Sequence, residues 1–196
     1  MRNEYEEKIF DFYTQGDNFK TMVQVANAFP AVANKLIRLF WNDVLIALRS
    51  KYSEQEWEVG FSSSNFDDRF NKLWVYRKSW ALEENLPKIA IGFENLQLDK
   101  HCWVGIFMSN GIKDHNLDAF RNEMRTLPEL NGYKHDSNNW WVKWESLSPL
   151  ITKRDQIHFL SNDDRQASIN SAVNQVDTFM KIIDKKIFTI LDKHKV

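Results

Sequence analysis

Hydrophobic and polar positions alternate in four short stretches, Gln55 to Phe61, Leu73 to Trp80, Cys102 to Met108 and Trp140 to Glu145. Together these hold seven of the chain's eight tryptophans. A period of two is that of a strand with one buried face. In the first stretch Trp57, Val59 and Phe61 alternate with Glu56, Glu58 and Gly60. In the second, Trp74, Tyr76, Lys78 and Trp80 share one face, away from Leu73, Val75, Arg77 and Ser79. A further strand, Lys88 to Glu94, sets Ile89, Ile91 and Phe93 against Ala90, Gly92 and Glu94, and the Cys102 strand sets Val104, Ile106 and Met108 against Trp103, Gly105 and Phe107. Gly92 and Gly105 leave room on a sheet face for a helix or for large aromatics, since glycine in a strand otherwise adds nothing to packing. Gln156 to Leu160 is the expected neighbour of the strand that runs from Asn139 to Glu145.

Helical periodicity frames these strands. From Glu4 to about Tyr52 the chain reads as helix, interrupted at Gly16-Asp17 and again at Phe29-Pro30, where Pro30 suits the first turn of a new helix because its missing N–H is not needed there. Ala33, Leu36, Ile37, Phe40, Val44, Ala47 and Leu48 then recur on one stripe. Leu39, Trp41 and Ile46 fall outside that stripe, which implies cover on more than one side, by the sheet and by the preceding helix. Asn110-Gly111 and Asn131-Gly132 mark turns, and Ser62-Ser63-Ser64-Asn65 breaks the first strand. A helix from about Leu117 to Leu127 presents Leu117, Phe120, Met124 and Leu127, and Pro128 stops it. A long helix from about Asp163 to Lys193, capped by Ser161-Asn162-Asp163, carries the stripe Ile169, Val173, Val176, Met180, Ile183, Ile187 and Ile190.

Helices, then a meander, then helix, strand and long helix predict an α+β fold. The expectation is a mostly antiparallel sheet of about five to six strands, packed with the N-terminal helices and a long C-terminal helix. At 196 residues the chain reads as one domain: a helical part to about residue 52, the sheet and its inserted helix over about 53–160, and the C-terminal helix over about 163–193. The net charge of −1 gives no overall basic excess for phosphate binding. The C-terminal helix sets Lys181, Lys185, Lys186, Lys193 and Lys195 against Asp184 and Asp192, the mixture of a solvated face. Apolar runs such as Val44 to Leu48 are too short to span a bilayer, the N-terminus has no segment of signal-peptide type, and the single Cys102 makes no internal disulfide. A cytoplasmic protein with no membrane contact is expected.

No nucleophile elbow, P-loop, dinucleotide fingerprint or zinc-ligand spacing occurs, so the expectation is no catalytic residue, no metal and no cofactor. Two chemistries stay open at the sheet. Glu94 closes an apolar strand and Glu145 closes a tryptophan strand, the kind of pair a carboxylate-dependent hydrolase requires. With Lys78 and Lys143 they would line one polar patch, or form cross-strand ion pairs. Alternatively, Trp74, Tyr76, Trp80 and Trp141 stack bases while Lys78 and Lys143, on the same strand faces, hold the phosphates. Lys78, Trp80, Glu94, Trp141, Lys143 and Glu145 are thus the candidate nucleic-acid or partner-binding residues.

Four segments carry a likeness to a known family. Lys35-Leu-Ile-Arg-Leu-Phe-Trp, Leu73-Trp-Val-Tyr-Arg-Lys-Ser-Trp, Ile89-Ala-Ile-Gly-Phe-Glu and Trp103-Val-Gly-Ile-Phe follow one another in an order that resembles the region after the nuclease core in some prokaryotic PD-(D/E)XK nuclease-family proteins. The likeness covers roughly residues 30 to 145 and rests on packing patterns. The family's catalytic core sets an Asp on one strand and Asp/Glu-x-Lys on the next, to hold Mg²⁺ and support the attacking water. Here Glu6-Glu7-Lys8 and Asp184-Lys185-Lys186 match that spacing, and both lie in segments read as helix, so no catalytic residue carries over. What the resemblance implies is an accessory region standing alone: a non-catalytic binding module of a prokaryotic or phage defence or counter-defence system. Its partner is expected to be a protein or a second copy joined through the C-terminal helix, with nucleic-acid binding by the aromatic sheet face and hydrolysis as the alternatives.

Overall fold

Antiparallel neighbours, following their order along the chain, build the main sheet. The computed structural model describes residues 4–62, 68, 71–83, 86–108, 115–134 and 140–194. Its helices are α1 (Glu4–Tyr13), α2 (Asn18–Lys51), α3 (His115–Arg125) and α4 (Asn162–His194). Its strands are β1 (Trp57–Phe61), β2 (Lys72–Arg77), β3 (Ala81–Glu83), β4 (Leu86–Pro87), β5 (Ile89–Glu94), β6 (Trp103–Met108) and β7 (Trp141–Ser146). The main sheet has the order β1-β2-β5-β6-β7, antiparallel throughout, and β3 with β4 forms a separate small ribbon. This is the expected α+β class, with five strands in the main sheet. Among the described residues no helix is long and apolar enough to cross a membrane.

Helices α2 and α4 cover one face of the sheet. The alternation dictates which side chains they meet: Leu73, Val75, Ile91, Phe93, Val104 and Ile106 point to them, and all are buried. Each such side chain contributes roughly 1.5–3 kcal/mol on leaving water, so this layer dominates stability. Every residue of the α4 stripe from Ile169 to Ile190 is buried within this same core. Polar contacts then fix the helices in place. Trp41 of α2 donates its indole N–H to the Leu96 carbonyl at 2.9 Å. Arg77 at the end of β2 grips Asp184 of α4 through two guanidinium nitrogens, at 2.8 and 3.1 Å, while lying over the Trp57 ring.

The sequence expectations fail at four places, each for a local reason. α2 runs unbroken through Pro30, because proline's φ suits a helix and the one N–H it removes would have bonded an exposed turn that water can satisfy. The second strand stops at Arg77, and Lys78–Trp80 is a 3₁₀ turn: the Lys78 N–H bonds the Glu56 carbonyl, and Trp80 turns inward against Trp57, with ring centroids 5.7 Å apart. Gln156 to Leu160 belongs to a 3₁₀ helix, Arg154–Leu160, packed on α2 and α4. It does not pair with β7, whose outer edge exchanges both hydrogen bonds of Trp144 with Lys134. Finally, Leu39 and Ile46 are exposed; of the three residues outside the α2 stripe only Trp41 is buried. Ser63 to Asn65, Asn110-Gly111 and the side chains of Leu117 and Asn162 lie outside the described residues.

Gly92 and Gly105 face each other at the centre of the sheet. A Cβ at Gly92 would stand 2.0 Å from the Leu73 carbonyl oxygen, and one at Gly105 would stand 2.2 Å from that of Lys143. Backbone cannot yield as a side chain does, so any other residue forces the strands apart. At Gly60 the nearest atom to a Cβ is the Trp74 indole nitrogen, at an ordinary 3.6 Å. Gly92→Ala and Gly105→Ala are therefore expected to lose about 2 kcal/mol or more each in urea unfolding, the scale of core overpacking, with Gly60→Ala unchanged. Equal effects at all three positions would refute the backbone-contact explanation.

Candidate functional site

The sheet face turned away from α2 and α4 holds most of the main sheet's aromatic side chains. Pairing across the strands arranges it in rows: Lys72, Glu94, Trp103 and Ser146; then Gly60, Trp74, Gly92, Gly105 and Trp144; then Ala90, Phe107 and Trp141. The two glycines thus form a floor without side chains between Trp74 and Trp144. Trp141 lies across that floor. Its ring sits between Phe107 and Trp103, the residues on either side of Gly105, and its indole N–H donates to Glu94 Oε2 at 2.9 Å.

Glu94 is the centre of this arrangement. Its other oxygen, Oε1, lies 3.1 Å from Lys72 Nζ, and both side chains are more than nine-tenths buried. The Lys72 ammonium stands 4.4 Å from the centroid of the Trp140 ring, whose π face attracts it. Trp140 in turn stacks on Phe107, and Phe107 on Trp74. The result is an ion pair enclosed in aromatic walls. Such a pair loses much hydration energy, which good geometry and further hydrogen bonds must offset. The Glu94 charge also acts on Cys102 behind it: burial foremost, then that charge, pushes the thiol well above its ordinary value, so Cys102 is an inert core residue.

Sequence reasoning named Glu94 and Trp141, and the fold brings these together. It missed Lys72, which begins β2 one residue before the expected strand. The other candidates lie elsewhere. Lys78 is exposed on its 3₁₀ turn and donates to the Glu54 carbonyl at 2.6 Å, beside a polar cleft of about 330 Å³ lined by Arg49, Tyr52, Glu54 and Glu58. Trp80 is wholly buried. Lys143 and Glu145 point to the helix side, opposite Ile106 and Val104, because a bulge between Trp141 and Lys143 breaks the alternation and puts Trp141 on the aromatic face without them. The expected patch of Lys78, Glu94, Lys143 and Glu145 is therefore not formed. Glu94 and Glu145 stand on opposite faces of the sheet with β6 between them, so they cannot flank one scissile bond. A base-stacking platform combining Trp141 with Lys143 fails on the same geometry. Among the described residues no three His, Cys, Asp or Glu side chains gather as metal ligands.

Two outcomes test these assignments. Lys72→Met strands a buried carboxylate and is expected to cost about 3–5 kcal/mol in denaturant unfolding, and adding Glu94→Leu to it should recover most of that loss; an additive double variant would show that the two groups do not form a unit. Glu145 behaves differently, since burial raises its carboxyl above the ordinary value. A raised carboxyl favours the fold below its unfolded pKa of about 4.3, and that contribution disappears as pH rises through the folded value. Glu145→Gln should accordingly raise the thermal midpoint at neutral pH and leave it unchanged in acid. No family model, curated protein or solved structure matches this chain, so its assignment rests on the geometry above.

Proposed function

We propose that the chain is a non-catalytic binding protein that engages another protein through an arm made of α1 and the first half of α2, in the accessory setting that the resemblance to nuclease-family proteins implies. One observation carries this reading. Buried residues of α2 begin only at Ala33, so about half of a 34-residue helix runs free of the core with α1 folded beside it. On this arm Phe10, Phe12, Phe19, Val25 and Val32 are all exposed. Between the two helices lies a depression of about 280 Å³ with an apolar surface, lined by Ile9, Phe10, Tyr13, Phe19 and Met22. Single exposed apolar residues are ordinary, but large ones gathered about one apolar depression, as Ile9, Phe10 and Phe19 are, mark a surface that another molecule covers.

The enclosed Lys72–Glu94 pair supports the same reading from the other side. Each charge is already engaged, and tryptophan side chains stand where a substrate would have to approach. The test compares two variants in co-purification from the native cell. Phe10→Glu with Phe19→Glu should remove the proteins that accompany the wild type, while Glu94→Gln, in whatever fraction folds, should retain them. Turnover of a nucleic acid or nucleotide that survives purification and disappears in Glu94→Gln would overturn the proposal, as would salt-sensitive DNA or RNA binding that quenches tryptophan emission.

A further inference from the structure

A helix on the surface of a globular domain normally has one apolar stripe and polar residues elsewhere. α2 has two. Its core face is Ala33, Ile37, Phe40, Trp41, Val44 and Leu48. Beside it runs a second row, Val25, Val32, Leu39 and Ile46, spaced seven residues apart and 62, 53, 41 and 57 % exposed. Three residues before each stands Met22, Phe29, Leu36 and Asp43. These two rows occupy the a and d positions of a heptad, the 3.5-residue period by which two helices keep one seam in contact.

From this seam we infer that a second copy of the chain covers α2, pairing antiparallel from Met22 to Leu39. The inference rests on the reading of the arm as a protein-binding surface and names its occupant. In an antiparallel pair each a residue meets a d residue of the other copy. Met22 then meets Leu39, Val25 meets Leu36 and Phe29 meets Val32, and the same three layers recur in reverse. The seam is complementary to itself over its whole apolar length, about 27 Å for 18 helical residues. Parallel pairing would instead set Asp43 against Asp43 and force the two sheet bodies side by side. Small residues flank the seam at Ala26 and Ala28, and no charged residue occurs from Thr21 to Asn34.

Light scattering and sedimentation of the full chain at micromolar to submillimolar concentration should give twice the 23.3 kDa chain mass. Val25→Glu and Val32→Glu, tested separately, should each return the monomer mass with an unchanged helical spectrum. Val23→Glu, apolar and exposed but off the seam, should leave the dimer intact. Because Cys102 is buried, an equimolar mixture of Met22→Cys and Leu39→Cys chains should form a disulfide-linked pair in air, while neither does so alone. Self-linkage of Leu39→Cys would overturn the antiparallel pairing. A monomer at every concentration would overturn the inference, and thermal midpoints tell which premise failed. Unchanged midpoints in Val25→Glu and Val32→Glu leave the arm a surface for some other protein; lowered midpoints in both mean the chain covers its own seam, and the proposed function fails with it.

Discussion

The close approach of backbones at Gly92 and Gly105 decides what the outer face of the sheet can hold. Helices cover the other face, and a five-stranded sheet cannot leave its second face apolar and wet. Among the described residues, the sheet's own side chains close that face. The glycine floor makes this feasible, because Trp141 can reach across β6 to Glu94 only where β6 puts no side chain in its path. Once there, its N–H reaches Glu94, and Glu94 in turn holds Lys72 under the Trp140 ring. The concentration of tryptophan in the strands therefore follows from geometry: among the described residues, large rings take on this face the place that helices take on the other.

A second constraint joins the body to the arm. The buried C-terminal half of α2 meets the nucleation cost of the helix, so the N-terminal half extends at little further expense in order. This explains how a helix can continue through Pro30, where an isolated segment would break. The arm is continuous with the packed half of the helix, where Trp41, Val44 and Leu48 meet the core.

Legibility in the sequence tracks the regularity of the backbone. Where alternation is unbroken, at Ile89 to Glu94 and Trp103 to Met108, the pattern divides the residues between the two faces correctly, and α4 is legible along its whole stripe. Where a single event interrupts the period, every residue beyond it is misassigned. The bulge at Val142 separates Trp141 from Lys143 and Glu145, though all three share parity in the sequence. The turn at Lys78 removes Trp80 from the face of Trp74 and Tyr76, an event set by the Asp184 and Glu56 carboxylates that capture Arg77 from segments far away in the chain. Lys72 carried a signal: it shares parity with Trp74, on a strand next to the one that Glu94 closes. The heptad on α2 was partly visible too, as the leftover positions Leu39 and Ile46. Both are exposed, so the described residues do not supply the cover they imply.

The buried pair also bears on how the fold is specified. Two well-packed apolar residues would stabilise such a position about as well as Lys72 and Glu94 do, so the pair is weak evidence for stability as such. Its consequence lies in register. A one-residue slip of β5 against β2 would send Glu94 to the helix side and leave the Lys72 ammonium buried without it, while Trp141 lost its acceptor. The same slip would carry Gly92 away from Gly105 and drive a side chain into the neighbouring backbone. Charge and close approach thus penalise the same error at the same place. A sheet whose apolar residues would tolerate several alignments is held to one, and the aromatic face can close only in that alignment.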